Sequence, residues 1–466
     1  MTELKKQEIA PSQKKYFGTD GIRGHANSEP MTAQTVLKVA MAAARYFKRQ
    51  HSLHRPKVVI GKDTRLSGYM IENAMTSGFV SMGMDVIMVG PMPTPAVAML
   101  TRSLRADLGV MISASHNPYE DNGVKLFGAD GFKLTDTVEL EIERRMDDGL
   151  TSKRLAKAPD IGRAKRVDEE SGRYVEFVKA TFPKDQSLHG MRIVVDCANG
   201  AAYKAAPKIL WELGAEVIPL GVNPNGTNIN LKCGATDTRA MQDAVVAHGA
   251  DIGLALDGDA DRLIVADESG RQIDGDQIMA ALAIDWQARN KLKGGGIVST
   301  VMSNLGLERF LNGNGLKLER SAVGDRYVMD KMRQGGYNLG GEQSGHFIPL
   351  DYTTTGDGLL TALQVLTAVK NADDNPVSDI LHPFEPVPQK KRNIRYKKYD
   401  PLVNPDIQSF LKSIDENLSD QGRVLVRKSG TEPVIRVMVE GDDEHLVDRT
   451  LDRICGRLAD EIEKNG

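Results

Sequence analysis

The sequence predicts an α/β protein of three similar α/β units with mixed sheets, followed by a smaller C-terminal α+β unit. Three observations carry that prediction. Apolar strand-like runs alternate with helical stretches along most of the chain, the pattern of α/β architecture. One module recurs three times: a strand, a polar or glycine-containing turn, an amphipathic helix, a helix-ending glycine, further strand and helix, and a strand that ends in a polar loop. Beyond Lys370 the pattern breaks at NADDNPVSDILHPFEPVPQKK, a Pro- and charge-rich stretch that reads as a linker or domain boundary.

The first copy opens on PKVVIGKDTRLSG (56–68), continues as a helix through Met70–Met82 that stops near Gly83, adds the strand DVIMVG and ends on DLGVMISASHNP. The second opens on MRIVVDCANG (191–200), has its helix end at ELGAEVIPLG, and finishes on ADIGLALDGDADR. The third opens on GGGIVSTVMSN (294–304), passes GNGLKLERSAVGDR and finishes on NLGGEQSGH. The copies share pattern rather than identity. The last stretch holds a strand–loop–strand, GRVLVRKSGTEPVIRVMVEG, and an amphipathic helix through 444–463. The expected divisions are a disordered tail at 1–13 and domains at 14–160, 161–262, 263–378 and 379–466. Ligands of α/β sheets sit beyond the carboxyl ends of strands, so SASHNP, DGDADR and GEQSGH are expected to line one central cleft.

Composition narrows the function classes. A chain of 466 residues with 41% hydrophobic and 26% charged residues suits a soluble multidomain protein. A net charge of −3 argues against a protein that coats nucleic acid or an anionic membrane, so anionic partners must be held by local basic clusters. Cys197, Cys233 and Cys455 lie far apart without CxxC spacing, which fits a reducing cytoplasm rather than a disulfide framework or zinc site. The N-terminus lacks the apolar segment of a secretory signal, and no apolar run is long enough for a membrane span.

Five polar stretches carry candidate chemistry. DGDADR crowds Asp257, Asp259 and Asp261, whose mutual repulsion calls for a cation; oxygen ligands without His or Cys suit Mg²⁺ or Ca²⁺. An EF-hand is disfavoured because Arg262 stands where its turn needs glycine and because the flanks read as strands. A phosphatase with Asp257 as nucleophile is disfavoured by Asp261. In ISASHNP, Ser115 follows a strand and adjoins His116, with Lys125 shortly after; ordinary helix capping competes with a nucleophile here, and no G-x-S-x-G elbow supports a serine hydrolase. RKSGTEP reads as a phosphate cradle or as a polar hairpin: Arg427 for bidentate binding, hydroxyls at Ser429 and Thr431, and Gly430 for close backbone approach. Lys62 and Arg65, beside Asp63 in GKDTRLSG, and Arg23 in GTDGIRG add basic side chains among glycines, with no Walker loop.

In order and along nearly the whole chain, GTDGIRG, SASHNP, NGVK, DGDADR, GEQSGH and RKSGTEP resemble the α-D-phosphohexomutases. KYFGTDGIRG, GKDTRLSGYM, PMPTPAV, TTTGDG and RKSGTEPVIRVMVEG resemble more narrowly the bacterial branch that acts on glucosamine phosphates. The resemblance implies three α/β domains and one α+β domain around a cleft. It implies a phosphoryl group on Ser115, Mg²⁺ held by the phosphoserine with Asp257, Asp259 and Asp261, and catalytic assistance from His116, Lys125, Arg23 and Arg262. Glu342, Ser344 and His346 match the sugar-recognising loop; Arg427, Ser429, Gly430 and Thr431 match the phosphate-binding loop. The implied reaction interconverts glucosamine 6-phosphate and glucosamine 1-phosphate through glucosamine 1,6-bisphosphate, intermediate and activator, and feeds UDP-N-acetylglucosamine synthesis. The alternative is a mannose or glucose phosphate substrate with the same mechanism. A cytoplasmic monomer or homodimer with a small phosphosugar substrate is expected, with no nucleic acid or membrane partner. Two departures stand out: Ala260 replaces the usual glycine of DGDGD, which predicts a slightly altered loop backbone, and Gln343 offers an amide that would favour an amino sugar.

Overall fold

A computed structural model describes residues 14–48, 55–148, 155–167, 170–372, 375–397, 399–429 and 433–465; the expected tail at 1–13 lies outside them. The first unit contains β1 (Ile22–His25), α1 (Ala33–Phe47), β2 (Lys57–Lys62), α2 (Gly68–Ser81), β3 (Asp85–Pro91), α3 (Thr94–Ser103), β4 (Leu108–Ile112), β5 (Asp121–Gly128), α4 (Asp136–Asp147) and β6 (Ala164–Arg166). The second holds α5 (Glu170–Lys179), β7 (Arg192–Asp196), α6 (Ala205–Glu212), β8 (Glu216–Leu220), α7 (Arg239–His248), β9 (Ile252–Leu256), β10 (Leu263–Ala266) and β11 (Gln272–Ile273). The third runs through α8 (Gly275–Ala288), β12 (Gly296–Thr300), α9 (Leu305–Gly313), β13 (Lys317–Ser321), α10 (Asp325–Gly335), β14 (Leu339–Gly341), β15 (Phe347–Pro349), α11 (Gly358–Asn371) and α12 (Val377–Leu381). The fourth is β16 (Gln389–Arg395), α13 (Pro405–Leu418), β17 (Gly422–Lys428), β18 (Val434–Gly441) and α14 (Glu444–Asn465).

The threefold repeat is topological. The three parallel strands of each copy lie in the same order, β4-β2-β3, β9-β7-β8 and β14-β12-β13. An antiparallel strand then flanks the last one: β5 beside β4, β10 beside β9, β15 beside β14. Central strands such as β4 and β9 are buried along their whole length, so they read as continuous apolar runs without alternation. The first two sheets run past the expected divisions at 160 and 262, and a helix crosses the one at 378. β6 adds to the first sheet, β10 and β11 return antiparallel beside β9, and α12 crosses residue 378 to bury Leu381 in the core of the preceding units. Polar loops mark the ends of strands, whereas sheet edges are completed by short returning strands whose few residues carry little periodicity.

One continuous core runs through the second and third units and takes in Val59, Val89, Met92, Ala96, Leu100 and Ala106 of the first. Its axis is α11, whose residues from Gly358 to Val369 are all buried, as expected for a helix that is apolar nearly all round. The other side of the first sheet has a second core, and the fourth unit keeps one of its own. The fourth, with sheet order β16-β18-β17, docks on the third where Arg423 Nη2 donates to the carbonyls of Val301 and Ser303, both at 3.0 Å. No helix among the described residues is long and apolar enough to cross a membrane.

Candidate active site

The loops after β4 and β9 meet face to face. Ser115 follows β4 with φ 53°, a left-handed conformation that turns the chain sharply and aims its hydroxyl at the second unit. Its Oγ donates to Asp257 Oδ2 at 2.6 Å and lies 3.3 Å from His116 Nδ1. Adjacency in sequence is therefore matched by proximity of the side chains. Gly258 permits this approach, because a Cβ there would lie 2.6 Å from the Ser115 carbonyl oxygen. Ala260 takes φ 58° and donates its N–H to the Asp257 carbonyl at 3.0 Å, so the loop closes in a left-handed turn despite its methyl group, at a cost of about 1 kcal/mol.

Asp257, Asp259 and Asp261 are buried, with one oxygen from each within 4.8 Å of the others. Burial and the charges of Asp261 and Asp259 push the Asp257 carboxyl up to about 8. Asp259 Oδ1 and Asp261 Oδ1 are buried without a hydrogen-bond partner. An all-oxygen cluster with two vacant buried acceptors fits a hard divalent cation. Thr94, the first residue of α3, steadies the cluster through its backbone N–H to the Asp259 carbonyl (2.9 Å) and its hydroxyl to Asp259 Oδ2 (2.5 Å).

Cations from the first unit close over these acids. Lys125 on β5 lies 2.8 Å from Asp259, 3.3 Å from Asp261 and 3.3 Å from Asp20. Burial works against its charge, yet these carboxylates hold its ammonium well above the ordinary lysine range. Asp20 also binds Arg23 at 2.5 Å and Lys133. Arg262 donates its backbone N–H to Asp257 Oδ1 at 3.2 Å, and its guanidinium stands 4.0 Å from Asp261. Burial, with Arg262 and Arg23 nearby, drives the His116 imidazole down to about 4, which favours its neutral form.

The third unit completes the wall. His346 is buried between Asp261 (3.7 Å) and Asp325 (3.6 Å), and Asp325 pairs with Lys133 at 2.5 Å. Glu342 is half-buried and accepts the Gly324 N–H at 3.1 Å, while Ser344 is exposed. Gln343 turns its amide to Asp274 (3.3 Å) and to Lys391 of the fourth unit (3.4 Å). On β17, Arg427 stands directly opposite Arg436; burial and that like charge lower its pKa, and its Nε is buried without a partner. Such a pair suits an anion. Ser429 follows on the same hairpin, and Gly430 and Thr431 lie outside the described residues.

The structure thus brings Ser115, His116, Lys125, Arg23, Arg262 and the three aspartates into one cluster, with His346 at its edge and Arg427 on a separate unit. Sequence reasoning missed Asp20, Thr94, Lys133 and Asp325. Asp20, Thr94 and Asp325 sit inside the quoted GTDGIRG, PMPTPAV and GNGLKLERSAVGDR stretches, which was the available signal; Lys133 carries none.

Family models match four successive segments: phosphoglucomutase/phosphomannomutase alpha/beta/alpha domain I over residues 14–153, domain II over 172–270, domain III over 274–387, and the C-terminal domain over 387–457. The chain is 62% identical over 442 residues to a phosphoglucosamine mutase of Parvibaculum lavamentivorans, covering 95% of this chain and 98% of that one. It is 59% identical to the phosphoglucosamine mutase of Paramagnetospirillum magneticum, with the same coverage of 95% and 98%. In fold it is similar to a phosphoglucomutase/phosphomannomutase family protein from Burkholderia thailandensis (TM-score 0.79, 24% identity, 98% of this chain and 99% of that one). It is also similar to Aspergillus fumigatus N-acetylphosphoglucosamine mutase in complex with GlcNAc-6P and magnesium (TM-score 0.66, 18% identity, 98% and 97% covered).

Proposed function

The chain belongs to the phosphoglucomutase/phosphomannomutase family, and from that premise we propose that it interconverts glucosamine 6-phosphate and glucosamine 1-phosphate. The observation that carries the reading is the Ser115 hydroxyl, buried and aimed at a three-carboxylate cluster, in a chain 62% identical to a phosphoglucosamine mutase. Phosphorylated Ser115 gives its phosphoryl group to the 1-hydroxyl of glucosamine 6-phosphate, forming glucosamine 1,6-bisphosphate. The hydroxyl proton passes to a neighbouring base, for which His116, its Nδ1 3.3 Å from Ser115 Oγ, is the candidate beside the transferring group. The bisphosphate turns over in the cleft, and its 6-phosphoryl group returns to Ser115 Oγ, leaving glucosamine 1-phosphate. Arg427 and Arg436 hold whichever phosphate is not reacting, and Lys125, Arg23 and Arg262 supply positive charge around the transferring group.

Asp257, Asp259 and Asp261, with the phosphoserine, would hold Mg²⁺, which when bound offsets negative charge on the phosphoryl group. Glu342, Ser344 and His346, on the loop that matches the family's sugar-recognising loop, would contact the sugar. The reaction supplies an amino-sugar 1-phosphate for UDP-N-acetylglucosamine synthesis in the cytoplasm, a compartment that suits three buried, unpaired cysteines.

The test is a mutase assay with Mg²⁺ and a trace of sugar bisphosphate, comparing kcat/KM for glucosamine, glucose and mannose 6-phosphates beside Ser115→Ala. The amino sugar is expected to be preferred, and the variant to be inactive. Preference for glucose or mannose phosphate would keep the mechanism and change the substrate; free phosphate without an isomer would overturn both.

A further inference from the structure

Arg65 stands just past β2 in GKDTRLSG, among the basic side chains that the sequence offers to a phosphate. Its guanidinium is fully buried, and its donors are all used within the protein. Nε donates to Asp63 Oδ2 at 2.8 Å; Nη1 donates to the carbonyls of Pro118 and Asp121, the latter at 3.1 Å; Nη2 donates to those of Ser115 at 2.9 Å and Asn117 at 2.8 Å. Five N–H groups meet five acceptors, which leaves none for a ligand. Asp63 Oδ2 also accepts the Ser113 hydroxyl at 2.6 Å, and Ser113 Oγ accepts the Ser115 N–H at 2.9 Å. The peptide groups on both sides of Ser115 are therefore held through one buried Asp63–Arg65 pair.

A second hold comes from the second unit. Asn230 Nδ2 donates to the same two carbonyls, Ser115 at 2.9 Å and Asn117 at 3.0 Å. The unit that carries Asp257 thus grips the backbone of the residue whose hydroxyl must meet Asp257. A serine at φ 53° persists only where its surroundings over-determine it, and here two domains converge on one carbonyl.

We propose that Arg65 and Asn230 are positioning residues for phosphoryl transfer, which hold the Ser115 loop from two domains so that Oγ keeps its aim at the carboxylate cluster. The inference rests on the reading of Ser115 as the phosphoryl carrier. Neither residue touches the reacting atoms. Their loss should misplace the nucleophile while leaving the phosphosugar contacts of the other loops intact, and misplacement by about 1 Å costs on the order of 100-fold in rate.

The experiment uses the full-length enzyme with Arg65→Lys, Asn230→Gly and Ser115→Ala. Lysine keeps the charge but not the planar fork. Glycine deletes both Asn230 donors while tolerating the φ of 57° at that position. We measure kcat, KM for glucosamine 6-phosphate, the melting temperature, and by intact mass the fraction of Ser115 phosphorylated after incubation with glucose 1,6-bisphosphate. Expected are falls in kcat of about 100-fold for Arg65→Lys and about tenfold for Asn230→Gly, KM within about twofold of the parent, and slower phosphorylation of Ser115. If Arg65→Lys does not fold, Asn230→Gly decides alone. A kcat within about twofold of the parent in Asn230→Gly, or a raised KM at unchanged kcat, overturns the positioning role while Ser115→Ala is inactive. An active Ser115→Ala instead overturns the reading of Ser115.

Discussion

Lys125 is the residue on which the charge balance of the cleft turns. It is 1% exposed and contacts Asp20, Asp259 and Asp261, so it is both the compensating cation of the acid cluster and dependent on it. Removing one partner of a buried ion pair costs about 3–5 kcal/mol, because the other charge is left uncompensated. A divalent cation on the aspartates would supply part of what the ammonium gives. Lys125→Met is therefore expected to lower the melting temperature more in chelator than in Mg²⁺, read by scanning calorimetry. Equal falls in both media would show that the ammonium and the metal do not share the carboxylates. At this scale the sequence was informative where chemistry is dense: Ser115, Lys125 and the three aspartates stand in short polar runs. Asp20 and Lys133 were not singled out, because they are 113 residues apart and only the fold makes them neighbours.

Among the elements, α8 shows how a helix start couples to a neighbouring loop. Asp274 caps it in a reciprocal box with Gln277. Asp276 is fully buried and accepts the Asn304 N–H at 2.7 Å, which ties α8 to the cap of α9. Burial, then the charge of Asp274, raises the Asp276 carboxyl to about 7 from an ordinary value of 3.8. Between those values the folded chain binds a proton that the unfolded chain releases, so this group's contribution to stability falls as pH rises from about 4 to about 7. Asp276→Asn keeps an acceptor for Asn304 and removes the titration. The melting temperature of the variant should gain on the parent as pH moves from 5 to 8; a constant difference between the two would refute the shifted titration. In the loop after β9, where the methyl group of Ala260 predicts a slightly altered backbone, the residue takes the left-handed conformation and its N–H closes onto the Asp257 carbonyl.

For the whole molecule, the first three units share one core while the fourth, with a core of its own, is attached through polar contacts. Arg423 on β17 pairs with the fully buried Glu440 at 2.6 Å and reaches the Val301 and Ser303 carbonyls of the third unit. Arg427 lies four residues along the same strand, hence on the same face, so the anchor sets where that arginine stands. Hydrogen bonds from a charged group contribute about 1.5–3 kcal/mol each. Arg423→Ala is expected to raise KM for the phosphosugar about tenfold, with a smaller change in kcat, and to speed proteolysis between the third and fourth units. Unchanged KM and cleavage would show that the fourth unit is held by other contacts.

The sequence by itself determined the α/β class, the threefold module, and the loops that carry Ser115, the three aspartates and Arg427. Those features are local: strand periodicity, turn chemistry and charge crowding are complete within a few consecutive residues. Only the tertiary structure decided that β6, β10 and β11 complete sheets beyond the expected divisions, that α11 fuses two units around one core, and that Gln343 faces Asp274 and Lys391. It also decided that Arg65 serves the backbone of the serine loop rather than a phosphate. These outcomes depend on which distant segments exclude water from one another, and a buried guanidinium goes to whichever carbonyls that packing leaves unpaired.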